Sequence, residues 1–154
     1  MNIADLITPS SVVANLRVTN KKQALQELAR RAGQIVGLPE RRIFDVLTER
    51  ERLGSTGVGM GIAIPHGKLA DLTRLHGLFA RLERPIDFGA IDDRPVDLIF
   101  VLLAPETAGA DHLKALARIS RLLRNGAVCD KLRGSDKADA LYALLTDRTA
   151  EAAA

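Results

Sequence analysis

Aromatic side chains are scarce in this chain, with four Phe, one Tyr and no Trp among 154 residues. Stacking platforms for single-stranded nucleic acid are therefore missing, and no nucleic-acid partner is expected. Cysteine is scarcer still. Cys129 stands alone, which excludes a disulfide framework and a thiolate metal cluster and fits a reducing cytoplasm. No apolar run has the length of a membrane-spanning helix, and the first ten residues read as domain sequence rather than as a signal peptide, so no membrane insertion is expected. Charge of one sign is lacking too. The 22 Lys and Arg and 19 Asp and Glu leave a formal +3, and the two signs are interspersed as on solvated helical faces.

What is present suits one ordinary domain. A chain of 154 residues, 47% of them hydrophobic, buries roughly two thirds of its unfolded surface without staples. With no repeat and no dividing linker, the expected organisation is a single domain over residues 1–148 and a frayed tail over 149–154.

The spacing predicts a short β-branched strand from Val12 to Val18, then a helix capped by Asn20 with Gln23 at the capping-box position. Leu25, Leu28, Ala29, Ala32 and Ile35 repeat at helical spacing up to Gly37, which ends the element. Pro39 suits the first turn of a second helix, with Ile43, Val46 and Leu47 inward, that runs to about Leu53 before Gly54. Leu75 to Leu82 and Val96 to Ala104 read as strands, the second so continuously apolar that both its faces must be covered. Between them Pro85 to Pro95 reads as a loop. Asp111 opens an amphipathic helix, Ala127 to Arg133 forms a short one, and Ser135 caps a last helix through Leu145. Helices on both sides of a sheet follow.

The run Gly61-Ile62-Ala63-Ile64-Pro65-His66-Gly67 ends an apolar strand with an imidazole held between a proline and a glycine. Pro65 restricts the backbone, and Gly67 leaves room for something to approach His66. His66 is thus presented rather than packed, although a lone histidine beside an apolar run is also met as a satisfied core or loop residue. Arg50 follows Ile43 by seven, Val46 by four and Leu47 by three, so it shares the inner face, while Glu49 and Glu51 are expected to turn away. His112 precedes Leu116 by four and Ile119 by seven, which aims it inward from a first helical turn. Blander readings suit the same spacing: an arginine stem along the core with its head in water, and a packing histidine at a helix start. Three segments nevertheless each offer a group suited to a phosphate, two imidazoles and a guanidinium fork.

The glycine-rich stretch from Gly54 to Gly61 does not make a nucleotide loop. Gly61 to Lys68 has five residues between its glycines where a P-loop has four, and Leu69 follows where a hydroxyl would hold magnesium. Gly57 to Gly61 neither follows a strand nor opens a helix, as a dinucleotide fingerprint does. A helix-to-strand loop is the expectation. Positions 66, 76 and 112 lack a metal-ligand spacing, no nucleophile elbow occurs, and His76 reads as structural.

Glu49-Arg50-Glu51, Gly54-Ser55-Thr56-Gly57, Ala63-Ile64-Pro65-His66-Gly67-Lys68, Pro85-Ile86-Asp87-Phe88, Leu103-Ala104-Pro105-Glu106 and Asp111-His112-Leu113 together resemble the enzyme IIA components of the bacterial phosphoenolpyruvate-dependent phosphotransferase system, of the fructose/mannitol/nitrogen type. The wording around Gly54 and His66 most resembles the nitrogen-regulatory branch. The resemblance implies an α/β fold with a mixed β-sheet sandwiched between helical layers. It implies that His66 is phosphorylated by a small histidine phosphocarrier protein charged through an enzyme I, with His112 as the neighbouring imidazole and Arg50 as the charged neighbour. Backbone amides around Ser55, Thr56 and Gly57 are expected to add a nest for the phosphoryl group. No cofactor or metal is expected. The implied recipients are regulated proteins such as sensor kinases or potassium transporters. A sugar-specific enzyme IIA serving a IIB component and a non-catalytic interaction module on the same fold are the alternatives.

Overall fold

The computed structural model describes residues 1–147, so the tail expected at 149–154 lies outside the described residues. Two short 3-10 turns, Ile3–Asp5 and Pro9–Ser11, lead into strand β1 (Val12–Leu16) and helix α1 (Lys21–Val36). The side chain of Asn20 accepts from the Gln23 amide, as its place before the helix requires. Gln23 does not complete the expected box: its carbonyl oxygen accepts from the amide and hydroxyl of Thr19, one residue further back. Gly37 closes α1 in the left-handed region, at φ 75°, where a side chain would be strained.

Pro39 stands at the cap of α2 (Glu40–Arg52), whose Ile43 and Leu47 are fully buried. The glycine-rich stretch that follows is not all loop. It holds strand β2 (Gly57–Gly59), which turns back antiparallel on β3 (Ile62–Ala63). After Ile64 and Pro65 the chain resumes as β4 (His66–Leu69), then β5 (His76–Ile86) and β6 (Val96–Pro105). β5 runs four residues past the expected Leu82, so the connecting loop is shorter than the proline and glycine content suggested; its register shifts between Arg81 and Ile86. Helices α3 (Ala110–Leu123), α4 (Gly126–Arg133) and α5 (Ala138–Leu145) complete the described chain. Lys137, not Ser135, is the cap of α5, and Ser135 instead accepts from the Lys137 amide.

The six strands form one mixed sheet. β6 is central, antiparallel to β5 on one side and parallel to β3 and β4 on the other, with β1 parallel to the outer side of β5. β6 alternates between two cores. Ile99, Val101 and Leu103 join Leu25, Leu28, Ile43 and Leu47 of α1 and α2, whereas Leu98, Phe100 and Leu102 join Ile119, Leu122, Leu132 and Leu141 of the last three helices. Burial on both faces is why the strand reads as an unbroken apolar run.

β3 and β4 pair with successive stretches of β6, Ile62 and Ala63 with Leu98 and Ile99, then His66 to Leu69 with Leu102 to Pro105. Pro65 lies at the break, having no amide to give the ladder, though its carbonyl still accepts from Leu102. His66 is therefore the first residue after an interruption, not the last of a strand.

Candidate functional site

Elements from both halves of the chain bring three side chains together. β4 starts at His66, α2 ends two residues past Arg50, and the first turn of α3 carries His112. The Nε–H of Arg50 donates to Nε2 of His66 at 3.2 Å, and the rings of His66 and His112 meet edge to face with centroids 5.6 Å apart. The alignment of α2 with β4 has a steric basis. Val46 lies so close over Gly67 that an added Cβ would stand 2.2 Å from Val46 Cγ1. The room beside Gly67 is thus filled by the chain's own helix, not left open to a visitor as expected.

Hydrogen bonding fixes the tautomer of His66. An arginine nitrogen can only donate, so Nε2 must accept. Nδ1 then carries the proton and donates to the Ile64 carbonyl at 2.8 Å. Burial holds the His66 pKa below the usual histidine range; the bond to Ile64 works the other way, and the Arg50 charge adds to the lowering. His112 is lowered first by burial, then by His66 and Lys68. Both imidazoles are neutral at neutral pH, and His66 offers the lone pair of a nucleophile. His112 is 8% exposed, and its Nε2 has no hydrogen-bond partner. Among the described residues only Thr48 Oγ1 shares that condition for a buried side chain, so His112 holds hydrogen-bonding capacity in reserve beside His66.

The glycine-rich turn differs from the expectation. The Thr56 amide donates to Glu51 Oε1 at 3.0 Å and the Gly57 amide to Ser55 Oγ at 3.0 Å, while Ser55 Oγ itself donates to the Phe88 carbonyl. Those amides are occupied and form no free nest. Glu51 does not turn away either. It is buried, with Lys21 at 2.8 Å and the Thr56 hydroxyl on its other oxygen. Glu51 follows Leu47 by four and Ile43 by eight, so the inner-face period already included it. Glu49 does face solvent, paired with Arg52 at 3.0 Å. His76 opens β5 half-buried, apart from the imidazole pair. Among the described residues no group of His, Cys, Asp and Glu is disposed to hold a metal ion, and no helix is long and apolar enough to cross a membrane.

A neutral imidazole with Nδ1 committed to the backbone, Nε2 facing a guanidinium and a second imidazole ring close by is suited chemically to carrying an anionic group. Comparison with known proteins gives the class its family. Residues 5–148 match the family model described as "Phosphoenolpyruvate-dependent sugar phosphotransferase system, EIIA 2". The chain is 58% identical over 153 residues to the nitrogen regulatory protein of Bradyrhizobium diazoefficiens, covering 99% of this chain and 100% of that protein. It is 37% identical over 148 residues to the protein of that name in Escherichia coli, covering 96% and 91%. Among solved structures, nitrogen regulatory protein IIA-Ntr from Neisseria meningitidis superposes with a TM-score of 0.89 at 35% identity, covering 94% of this chain and 99% of that one. The mannitol IIA of Escherichia coli, at 20% identity and a TM-score of 0.77 over 90% of this chain and 98% of that one, shares the fold. The chain belongs to the EIIA type 2 family of the phosphotransferase system, whose members are phosphotransferase components carrying phosphohistidine.

Proposed function

We propose that Nε2 of His66 is the atom that carries the phosphoryl group, accepted from a histidine phosphocarrier protein of the nitrogen type. The observation that supports this most directly is the tautomer: Nδ1–H is engaged by Ile64, so the nucleophilic lone pair is on Nε2, beside Arg50 and His112. In the transfer, the Nε2 lone pair forms the new N–P bond as the donor's N–P bond breaks and its imidazole leaves with the electron pair. The proton on Nδ1 stays with its Ile64 bond. The ring then bears positive charge against the phosphoryl oxygens and remains a good leaving group for the next step. Arg50 and His112 donate to those oxygens in flight, so catalysis is positioning and charge stabilisation.

The nitrogen-branch relatives support a regulatory output. Phosphorylation adds a doubly negative phosphoryl group on a ring that gains one positive charge, and regulated proteins such as sensor kinases or potassium transporters, met from the cytoplasm, read that difference at one surface. Incubation with enzyme I, the phosphocarrier and phosphoenolpyruvate tests the assignment. One acid-labile phosphoryl group per chain is expected, with its P–N coupling at Nε2 of His66; a label found elsewhere overturns it.

A further inference from the structure

Immediately after Arg50, the end of α2 carries a carboxylate that no step of the transfer uses. The Glu51 side chain is 5% exposed, and its two oxygens receive the Thr56 amide, the Thr56 hydroxyl and the Lys21 ammonium. Lys21 also lies 4.6 Å over the ring of Phe88. One carboxylate thus ties the end of α2, the 54–56 turn and the start of α1 together. Apolar residues of similar volume fill such a space at less cost, so stability is a weak reason for an ion pair there. Geometry supplies a stronger one. Arg50 donates through Nη1 to the Gly54 carbonyl at 2.9 Å while its Nε reaches His66. The turn that Glu51 holds at Thr56 is the turn that holds Arg50 at Gly54.

We propose that Glu51 is the positioning residue of this site: its carboxylate locks the 54–56 turn to the end of α2, and the locked turn fixes the guanidinium that meets His66. Among the described residues, the charged groups that shift the two imidazoles are Arg50 and Glu51 on α2 and Lys68 on β4, and of these Glu51 is the one anion, while Asp111 adjoins His112 on α3. It therefore also offsets the Arg50 charge felt by His66. The inference rests on the transfer role given to His66 above, yet the hold on Arg50 is measurable without any transfer.

The experiment uses the unphosphorylated full chain and two variants, Glu51→Gln and Thr56→Val. Solvent exchange of the Arg50 Nε–H and titration of His66 are followed by NMR, and phosphorylation by the donor chain is followed separately. Glu51→Gln should speed exchange of the Arg50 Nε–H roughly tenfold or more, lower the His66 pKa further, and slow labelling at saturating donor about tenfold with KM unchanged. Thr56→Val removes the hydroxyl's hold on Glu51 but keeps both charges, so it should speed the exchange while moving the His66 titration less than Glu51→Gln does. A Glu51→Gln protein of lower thermal stability but unchanged Arg50 exchange and His66 titration overturns the proposal. Should Glu51→Gln fail to fold, unchanged Arg50 exchange in Thr56→Val overturns it equally. Absence of labelling in the unmodified protein would defeat the role given to His66, and leave the exchange and titration results to decide on Glu51.

Discussion

Arg50 donates through Nε to Nε2 of His66 across 3.2 Å, so the unprotonated nitrogen of this imidazole already faces a cation. That contact lowers the affinity of His66 for a proton while making its surroundings receptive to an anion. The same side chain suppresses the wrong occupant of Nε2 and favours the proposed one.

Replacing Arg50 by Lys keeps a charge but loses the planar fork that spans Gly54 and His66. Loss of one charge-assisted hydrogen bond, about 1.5–3 kcal/mol, should slow phosphorylation of His66 roughly ten- to a hundredfold. Arg52→Lys is the control, because Arg52 is 71% exposed and paired with the equally exposed Glu49. Equal rates for the two variants in single-turnover labelling would remove Arg50 from the site.

His66→Ala should abolish labelling and leave the fold intact, since the ring is half-buried and its protein partners are the Ile64 carbonyl and Arg50. Intact-mass spectrometry and a thermal melt decide it. Full labelling of the variant would move the acceptor elsewhere, His112 being nearest.

For His112→Ala, acceptance of phosphate should persist while onward transfer falls roughly ten- to a hundredfold, because a hydrogen bond from this imidazole counts most as charge moves. Stability loss should be limited to packing, as Nε2 has no partner to lose. Matching rates in both directions would reduce His112 to a packing residue.

All three histidines have pKa values lowered first by burial. The unfolded chain therefore binds more protons than the folded one below about pH 6.5, and the stability present above that value is lost as pH falls through the lowered values. Thermal midpoints should decline between about pH 7 and pH 5, before the carboxylates begin to titrate, and labelling should persist below the pH at which an ordinary histidine is protonated. A flat midpoint across that interval contradicts the burial argument.

Gly67→Ala should destabilise the protein by about 1–3 kcal/mol, because the new methyl enters the space of Val46 Cγ1. Labelling should slow as well, since α2 carries Arg50. Adding Val46→Ala should recover part of both losses, and strictly additive losses in the double variant would show that the two residues do not meet.

The period-two and period-3.6 patterns carried most of the architecture, including the central strand and the inward positions of Arg50 and His112. They carried Glu51 as well, at Ile43 plus eight and Leu47 plus four, but a carboxylate between two arginines in a charged run reads as solvated unless its partners are visible. Lys21 and Thr56 come from other segments, and nothing local announces them. For the same reason the Thr56 and Gly57 amides looked available when they are not. The strand break at Pro65 was legible as a proline. Resumption at His66 depends on β6 lying alongside, which is a long-range fact.

The short bond from Nδ1 of His66 to the Ile64 carbonyl has a kinetic consequence. Under the carrier role proposed for His66, a ring held by its own backbone keeps presenting the same nitrogen, so goods would arrive and depart through one door. Donor and recipient must use the doorway in turn, and each keeps the other out while it stands there. Loading and unloading then alternate as separate visits, and a crowded cell with much unloaded donor would delay delivery simply by occupying the threshold.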